Sequence, residues 1–311
     1  MAQQFDQKLF FKLFKQSLPP HKKLVAVLSE VLGLDISNAY RRLRCQKELT
    51  LNEFFQIAER YPEARRIMAK VVHEDHIDVS MSQFENLEGF KGYLRNTISN
   101  LSKALNLEHT LYYMARDLPL FFYFSQPDLF RFKLAVWFYS GNIPLEEPDA
   151  ETFRLGKELF ALYQKLNTVE IWYENGFLNQ IEQLQCWQDM EYLNLADVNQ
   201  VCQAMIESFK NYEQWLEQGV KPGGGSLEIH QSGFSIMSDG GLLQCSDHKQ
   251  TFARIQGIHQ LHSTHPNFIE LFEKHWGAHH KLAIPLMNSN TRHRRLFFKR
   301  IQENLEQFEA R

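Results

Sequence analysis

Apolar residues recur at helical spacing near the start of the chain: Phe5, Leu9, Phe10, Leu13 and Phe14, then Leu24, Val27, Leu28, Val31 and Leu32. Positions three and four apart share one helix face, so each set predicts a short amphipathic helix. Pro19-Pro20 ends the first, because proline donates no amide hydrogen and restricts the residue before it. Gly33 ends the second, since glycine most cheaply takes the left-handed conformation past a helix end. Asp35 or Ser37 can cap a third helix running through Arg44. Thr50, with Glu53 at the capping-box distance, opens a fourth that carries Phe54, Phe55, Ile57 and Ala58.

Beyond Pro62 the pattern weakens to a β-favouring fragment at Val71 and Val72 and then polar residues, which predicts a connection over 66–85. A long helix is expected over 90–105. The run "ARDLPLFFYFSQPDLFRFKLAVWFYSGNIP" divides at Ser125-Gln126-Pro127 into two elements apolar nearly all round, as expected of helices at the centre of a core. Further helical patterns cover 150–166, 175–189 and 194–218, and "KPGGGS" then breaks the chain as a flexible joint. Short alternating runs come next, "SLEIHQ", "GFSIMS", "GLLQCS" and "TFARIQG", with Asp239-Gly240-Gly241 supplying hairpin chemistry. They predict a small antiparallel sheet, closed by helices near 267–276 and 291–308.

Charge is distributed unevenly. Residues 1–66 hold twelve Lys plus Arg against seven Asp plus Glu, a net of +5, which leaves −8 on the other 245. Only the first segment is suited to approach a polyanion. Its third helix concentrates Tyr40, Arg41, Arg42 and Arg44. A helix-turn-helix needs a first helix clamping a second across a tight turn, with the second helix apolar inside and polar outside. Residues 24–46 have that pattern: Leu28, Leu32, Leu34, Ala39 and Leu43 form the seam, and Ile36, Ser37, Tyr40, Arg41 and Arg44 face out. Arginine can donate two parallel hydrogen bonds to a guanine edge, and hydroxyls reach phosphates. Ser37, Tyr40 and Arg41 are therefore assigned to the groove, and Arg44 and Lys47 to backbone phosphates. Arg42 is assigned either to phosphate or to an ion pair with Glu30 or Glu48.

The segment over 23–61 resembles the helix-turn-helix of the Cro/CI-like (XRE) regulators, through "LGLDISNAYRRLR" followed by "KELTLNEFFQIAERY". More loosely, "MARDLPLFFYF" and "RHRRLFFKRIQENL" resemble parts of the long C-terminal regions of such regulators. The resemblance implies sequence-specific binding of double-stranded DNA, usually as a homodimer, through Ile36, Ser37, Tyr40, Arg41 and Arg44. Two positions depart from the family pattern: Ser29 stands where a very small residue is usual, and Cys45 where glycine or asparagine often ends the helix.

Other chemistry is thinly represented. Nine of the thirteen histidines lie after residue 225, including His259, His262, His265 and the pair His279-His280, without carboxylate or thiolate partners at ligand spacing. "HEDH" at His73 to His76 lacks the spacing of a zinc peptidase, and "KPGGGS" lacks the GxxxxGK[ST] pattern of a phosphate loop. No GxSxG elbow or other nucleophile is nominated. The aromatic block from Phe121 to Tyr139 is expected in the core, and "TRHRRLFFKR" on a dimer face or a solvated helix. Cys45, Cys186, Cys202 and Cys245 form no CxxC pair and are expected as free thiols. No leader or membrane span is evident, so a cytoplasmic location is expected.

The sequence thus predicts a mainly α protein: a four-helix helix-turn-helix domain at 1–65, a linker at 66–85, a helical effector or dimerisation region at 86–221, and a small α+β region at 222–311. The expected function is a DNA-binding transcriptional regulator with neither catalytic residues nor cofactor, open to an unknown small-molecule or protein effector. The alternative is an interaction or ligand-sensing scaffold whose basic N-terminal bundle binds an acidic partner protein.

Overall fold

A computed structural model describes residues 5–72, 79–82, 84–237, 239–255, 258–287 and 290–309. The chain divides into two compact units, 1–78 and 79–311. It is mainly helical with a mixed eight-stranded sheet, an α+β fold.

In the first unit, α1 (Gln7–Ser17) starts where the Asp6 side chain accepts from the Leu9 amide. α2 (Leu24–Leu32) stops at Gly33, whose φ of 62° is the left-handed turn that glycine takes without strain. α3 (Ile36–Leu43) is capped by Asp35, which accepts from the Asn38 amide at 2.8 Å. α4 (Leu51–Arg60) begins in a complete Thr50/Glu53 capping box. Phe10, Phe14, Leu28, Ala39 and Ile57 are wholly buried at the centre of this unit, with Phe10 and Phe14 stacked at 5.9 Å.

The connection predicted over 66–85 begins instead as a helix. α5 (Glu63–Val72) places Ala64, Ile67, Met68 and Val71 on one face against the same core. That 0-3-4-7 spacing is helical, and burial overrides the weak strand preference of two adjacent valines. The "HEDH" motif lies outside the described residues.

The second unit contains β1 (Ser80–Ser82), α6 (Leu87–Ala104), β2 (His109–Ala115), a short 3-10 turn (Leu120–Phe124), α7 (Pro127–Ser140), α8 (Ala150–Tyr163) and β3 (Thr168–Tyr173). It continues through α9 (Leu178–Asp189), α10 (Leu195–Gln218), β4 (Leu227–Ser232), β5 (Gly240–Cys245), β6 (Lys249–Ile255) and β7 (His259–Ser263), and ends with α11 (Pro266–Leu282), β8 (Ile284–Pro285) and α12 (Thr291–Glu309). The sheet order is β1-β7-β6-β5-β2-β3-β4-β8. β2, β3 and β4 run parallel, and the other pairings are antiparallel.

The sheet is therefore neither small nor purely antiparallel, and it is not confined to the C-terminal region. Two of its central strands come from the region predicted as helical. β2 and β3 occupy the gaps between the predicted helices, and the "FFYF" run after β2 is a 3-10 turn and not a core helix. Both strands are buried along most of their length and so lack the polar alternation that marks a strand in sequence. Parallel neighbours need long crossovers, which the helices between them provide. As expected, Phe121 to Phe124, Phe130, Phe132, Trp137 and Phe138 are core residues, whereas Tyr139 is half exposed.

Two glycine predictions also change. "KPGGGS" is a packed turn: Lys221 N–H donates to Gly225 O, Gly225 N–H donates to Gln164 O, and a Cβ on Gly225 would lie 2.2 Å from Leu166 O. Lys221 itself is buried, donating to Thr168 Oγ1 at 3.0 Å above the Tyr163 ring. Gly240 and Gly241 sit inside β5 and not in a hairpin turn. A side chain at Gly241 would strike the Phe252 ring and the Tyr112 carbonyl. "GFSIMS" forms no strand over its described residues; Ile236 is buried while Phe234 and Met237 project outward.

Candidate nucleic-acid interface

The turn between α2 and α3 is held on both sides. Ser29, one of the two departures from the family pattern, donates its hydroxyl to the Leu34 carbonyl, satisfying an acceptor beyond the helix end. On the other side, hydrogen bonds from the backbone and side chain of Asn38 hold the Asp35 carboxyl below the usual carboxylate range.

α3 separates its faces by chemistry. Ala39 is wholly buried against α2, Leu43 packs on the same core, and Ile36, Ser37, Tyr40 and Arg41 are exposed. Ile36 is 62 % exposed and Tyr40 43 %, values that mark an outward face even for apolar side chains. Arg44 lies over the Tyr40 ring at 5.5 Å, and Lys47 projects from the loop beyond. The stack orients the guanidinium without neutralising it.

Arg42 does not belong to this face. It is 4 % exposed, its Nε donates to Glu53 Oε1 at 2.8 Å, and an Nη2 bond to the same oxygen completes the pair. Nη1 donates to Asn38 O at 3.3 Å. The phosphate assignment is therefore corrected, as is the choice of carboxylate, which is Glu53 and neither Glu30 nor Glu48. The reason is helical spacing: Arg42 lies three residues from Ala39, so it continues the buried seam. Burial tends to raise the Glu53 carboxyl, but hydrogen bonds from Arg42 and the Thr50 amide hold it below its ordinary value.

The second family departure marks the end of α3. Cys45 has φ 56°, its amide donates to Arg42 O, and the Gln46 amide donates to Arg41 O. These are the two bonds of a Schellman cap, and they put a non-glycine residue in the left-handed region. Gln7 secures the loop between α3 and α4. Its amide nitrogen donates to Arg42 O at 2.8 Å and Lys47 O at 3.0 Å, and its oxygen accepts from the Leu49 amide at 2.7 Å. One buried side chain thus sets the path of the segment bearing Lys47. Neither Gln7 nor Glu53 was singled out for these roles from sequence, because their partners lie 35 to 42 and 11 residues away.

Elsewhere the histidines pair without converging. The His230 and His280 rings are 4.5 Å apart and those of His275 and His279 4.7 Å. Among the described residues, no group of three or more His, Cys, Asp and Glu is placed to hold a metal. Burial, with His280 beside it, pushes His230 down to about 4. All four cysteines are free, and burial pushes Cys202 up to about 12. Among the described residues, no helix is long and apolar enough to cross a membrane.

No protein-family model, curated protein or solved structure matches the chain.

Proposed function

We propose that residues 1–78 are a helix-turn-helix reader of double-stranded DNA in a transcriptional regulator of the Cro/CI-like (XRE) kind. In this reading α3 enters the major groove and unit 79–311 serves as the effector and dimerisation body. The observation that carries it is the outward face of α3. Tyr40, Arg41 and Arg44 project from a helix capped at both ends, with Lys47 on a loop tied down by Gln7. Ser37 and Arg41 read base edges, Ile36 makes apolar contact in the groove, and Arg44 and Lys47 meet phosphates. A lone reader of this size binds weakly, so two copies are expected on half-sites about one helical turn apart.

A mobility-shift titration tests the reading. Arg41→Ala should cost roughly 1 to 3 kcal/mol and relax base choice at one position. Lys47→Ala should weaken all duplexes alike and lower the salt slope by about 1. Unchanged duplex binding by an Arg41→Ala, Arg44→Ala double variant would refute it. A second reading is favoured by Leu51 and Phe55, exposed four residues apart on α4, which suit contact with a protein partner. That scaffold would show little binding to random duplex at low or high salt, whereas a DNA reader would bind at low salt and release as counterions compete.

A further inference from the structure

Within the second unit, a cavity of about 250 Å³ lies between α7, the loop 141–149 and the turn joining α9 to α10. A cavity of about 150 Å³ takes a benzene ring, so this one has room for a ring with a short chain attached. Phe132, Trp187 and Val201 are buried at its floor, and the Tyr192 ring stands 5.1 Å from that of Trp187 at the exposed side. Trp187 is 6 % exposed, and its indole N–H meets no acceptor among the described residues. A donor so placed calls for an acceptor from outside the chain.

The rim is acidic. Asp128, Glu146, Glu147 and Asp197 line the cavity with Arg131 as the one cation among the described lining residues, a net of −3. Arg131 is held loosely between Asp128 and Glu147, at 3.9 and 3.8 Å. Glu146 accepts from the Leu87 amide through Oε1, and Asp197 from the Asn194 amide through Oδ2, so each keeps a second oxygen for another donor. Carboxylates at helix starts are ordinary caps. What makes a site of these is the aromatic-floored cavity they surround.

We propose that this cavity binds an organic ammonium ion: one ring that carries an acceptor oxygen, joined by a short chain to the charged nitrogen. The ring lies against Trp187 and Phe132, its oxygen accepts from the indole N–H, and the ammonium meets Glu146 and Asp197 at the rim. The net charge of the lining repels an anion of the same shape, and an uncharged analogue forgoes the charge-assisted hydrogen bonds. The site lies wholly in unit 79–311, so it stands or falls independently of DNA binding by unit 1–78.

Saturation-transfer NMR and titration calorimetry on the full chain at low salt test it, with tyramine as the probe. Para-ethylphenol and para-hydroxyphenylpropionate are its uncharged and anionic counterparts. Tyramine should bind with Kd of about 1 mM or tighter, and each counterpart at least about tenfold more weakly. Glu146→Gln together with Glu147→Gln, at two exposed positions that the fold tolerates, should weaken tyramine about fivefold. Trp187→Phe, which keeps a ring and removes the N–H, should weaken it about threefold or more. If that buried variant unfolds, the exposed glutamine pair still decides. Absence of tyramine binding, equal binding of either counterpart, or binding indifferent to the glutamine pair would overturn the assignment.

Discussion

Arg42 and Glu53 provide the sharpest test of how the first unit is built. Glu53→Ala strands a guanidinium that is 4 % exposed, leaving it only the Asn38 carbonyl among its described hydrogen bonds. Breaking a buried pair from one side costs about 3 to 5 kcal/mol. The Glu53 side chain is 15 % exposed, so a share near 2 to 4 kcal/mol is appropriate, with about 1 kcal/mol more for the lost half of the capping box. Arg42→Met should cost less, about 1 to 2 kcal/mol, because the carboxylate it leaves behind can hydrate and still accept from the Thr50 amide. For a domain of this size each kcal/mol moves the midpoint by roughly 4 to 8 °C. Glu53→Ala should therefore lower the unfolding transition of residues 5–72 by more than 10 °C, and Arg42→Met by about half as much. Calorimetry of the full chain, with hydrogen exchange assigning the transition to this unit, gives both numbers, and the double variant gives their coupling. Acid supplies a further check. Because Glu53 is depressed in the folded state, its contribution is present above its unfolded value and lost as pH falls through the folded one. If Arg42→Met left stability within about 0.5 kcal/mol and instead lowered the salt slope of duplex binding, Arg42 would face phosphate and the placement would be wrong.

Cys45→Gly relieves a left-handed residue at the Schellman cap and should stabilise the first unit by about 1 kcal/mol, read as a raised urea midpoint; a loss would refute strain at that site. Gly225→Ala should destabilise the second unit by about 1 to 3 kcal/mol in denaturant titration, because its Cβ overlaps the Leu166 carbonyl, whereas a flexible joint would tolerate it. Lys133 is 2 % exposed, donates to Gln180 and Gln183 at 2.9 and 2.7 Å, and is pushed down to about 7 by burial. The unfolded chain then binds the extra proton above that value, so stability rises with pH from about 7 to about 10, by at most roughly 5 kcal/mol from this group. Lys133→Met should remove its share of that rise in urea midpoints measured across the window, leaving the share of Lys221, which burial likewise pushes down to about 7, and an unchanged slope would exclude Lys133 as a source.

Local chemistry was legible from the residues themselves. Gly33, Asp35, Thr50 with Glu53, and the aromatic and aliphatic spacing of α1 to α4 each act within a few positions, so the turn, the caps and the outward placement of Tyr40, Arg41 and Arg44 could be read directly. Three things depended on contacts far apart in the chain. Helical spacing from Ala39 turns Arg42 toward the buried seam, but its carboxylate partner is decided only when Glu53 arrives from the next helix, and Gln7 acts on residues 35 to 42 positions away. β2 and β3 are strands because they pair with one another and with β4 and β5, not because they alternate. The glycines of "KPGGGS" look like a hinge alone and become a fitted turn only beside the backbone of Gln164 and Leu166. Periodicity and capping record what a segment does with its immediate neighbours; which segments become neighbours, and which charges they bury, is decided by the packing of the whole unit.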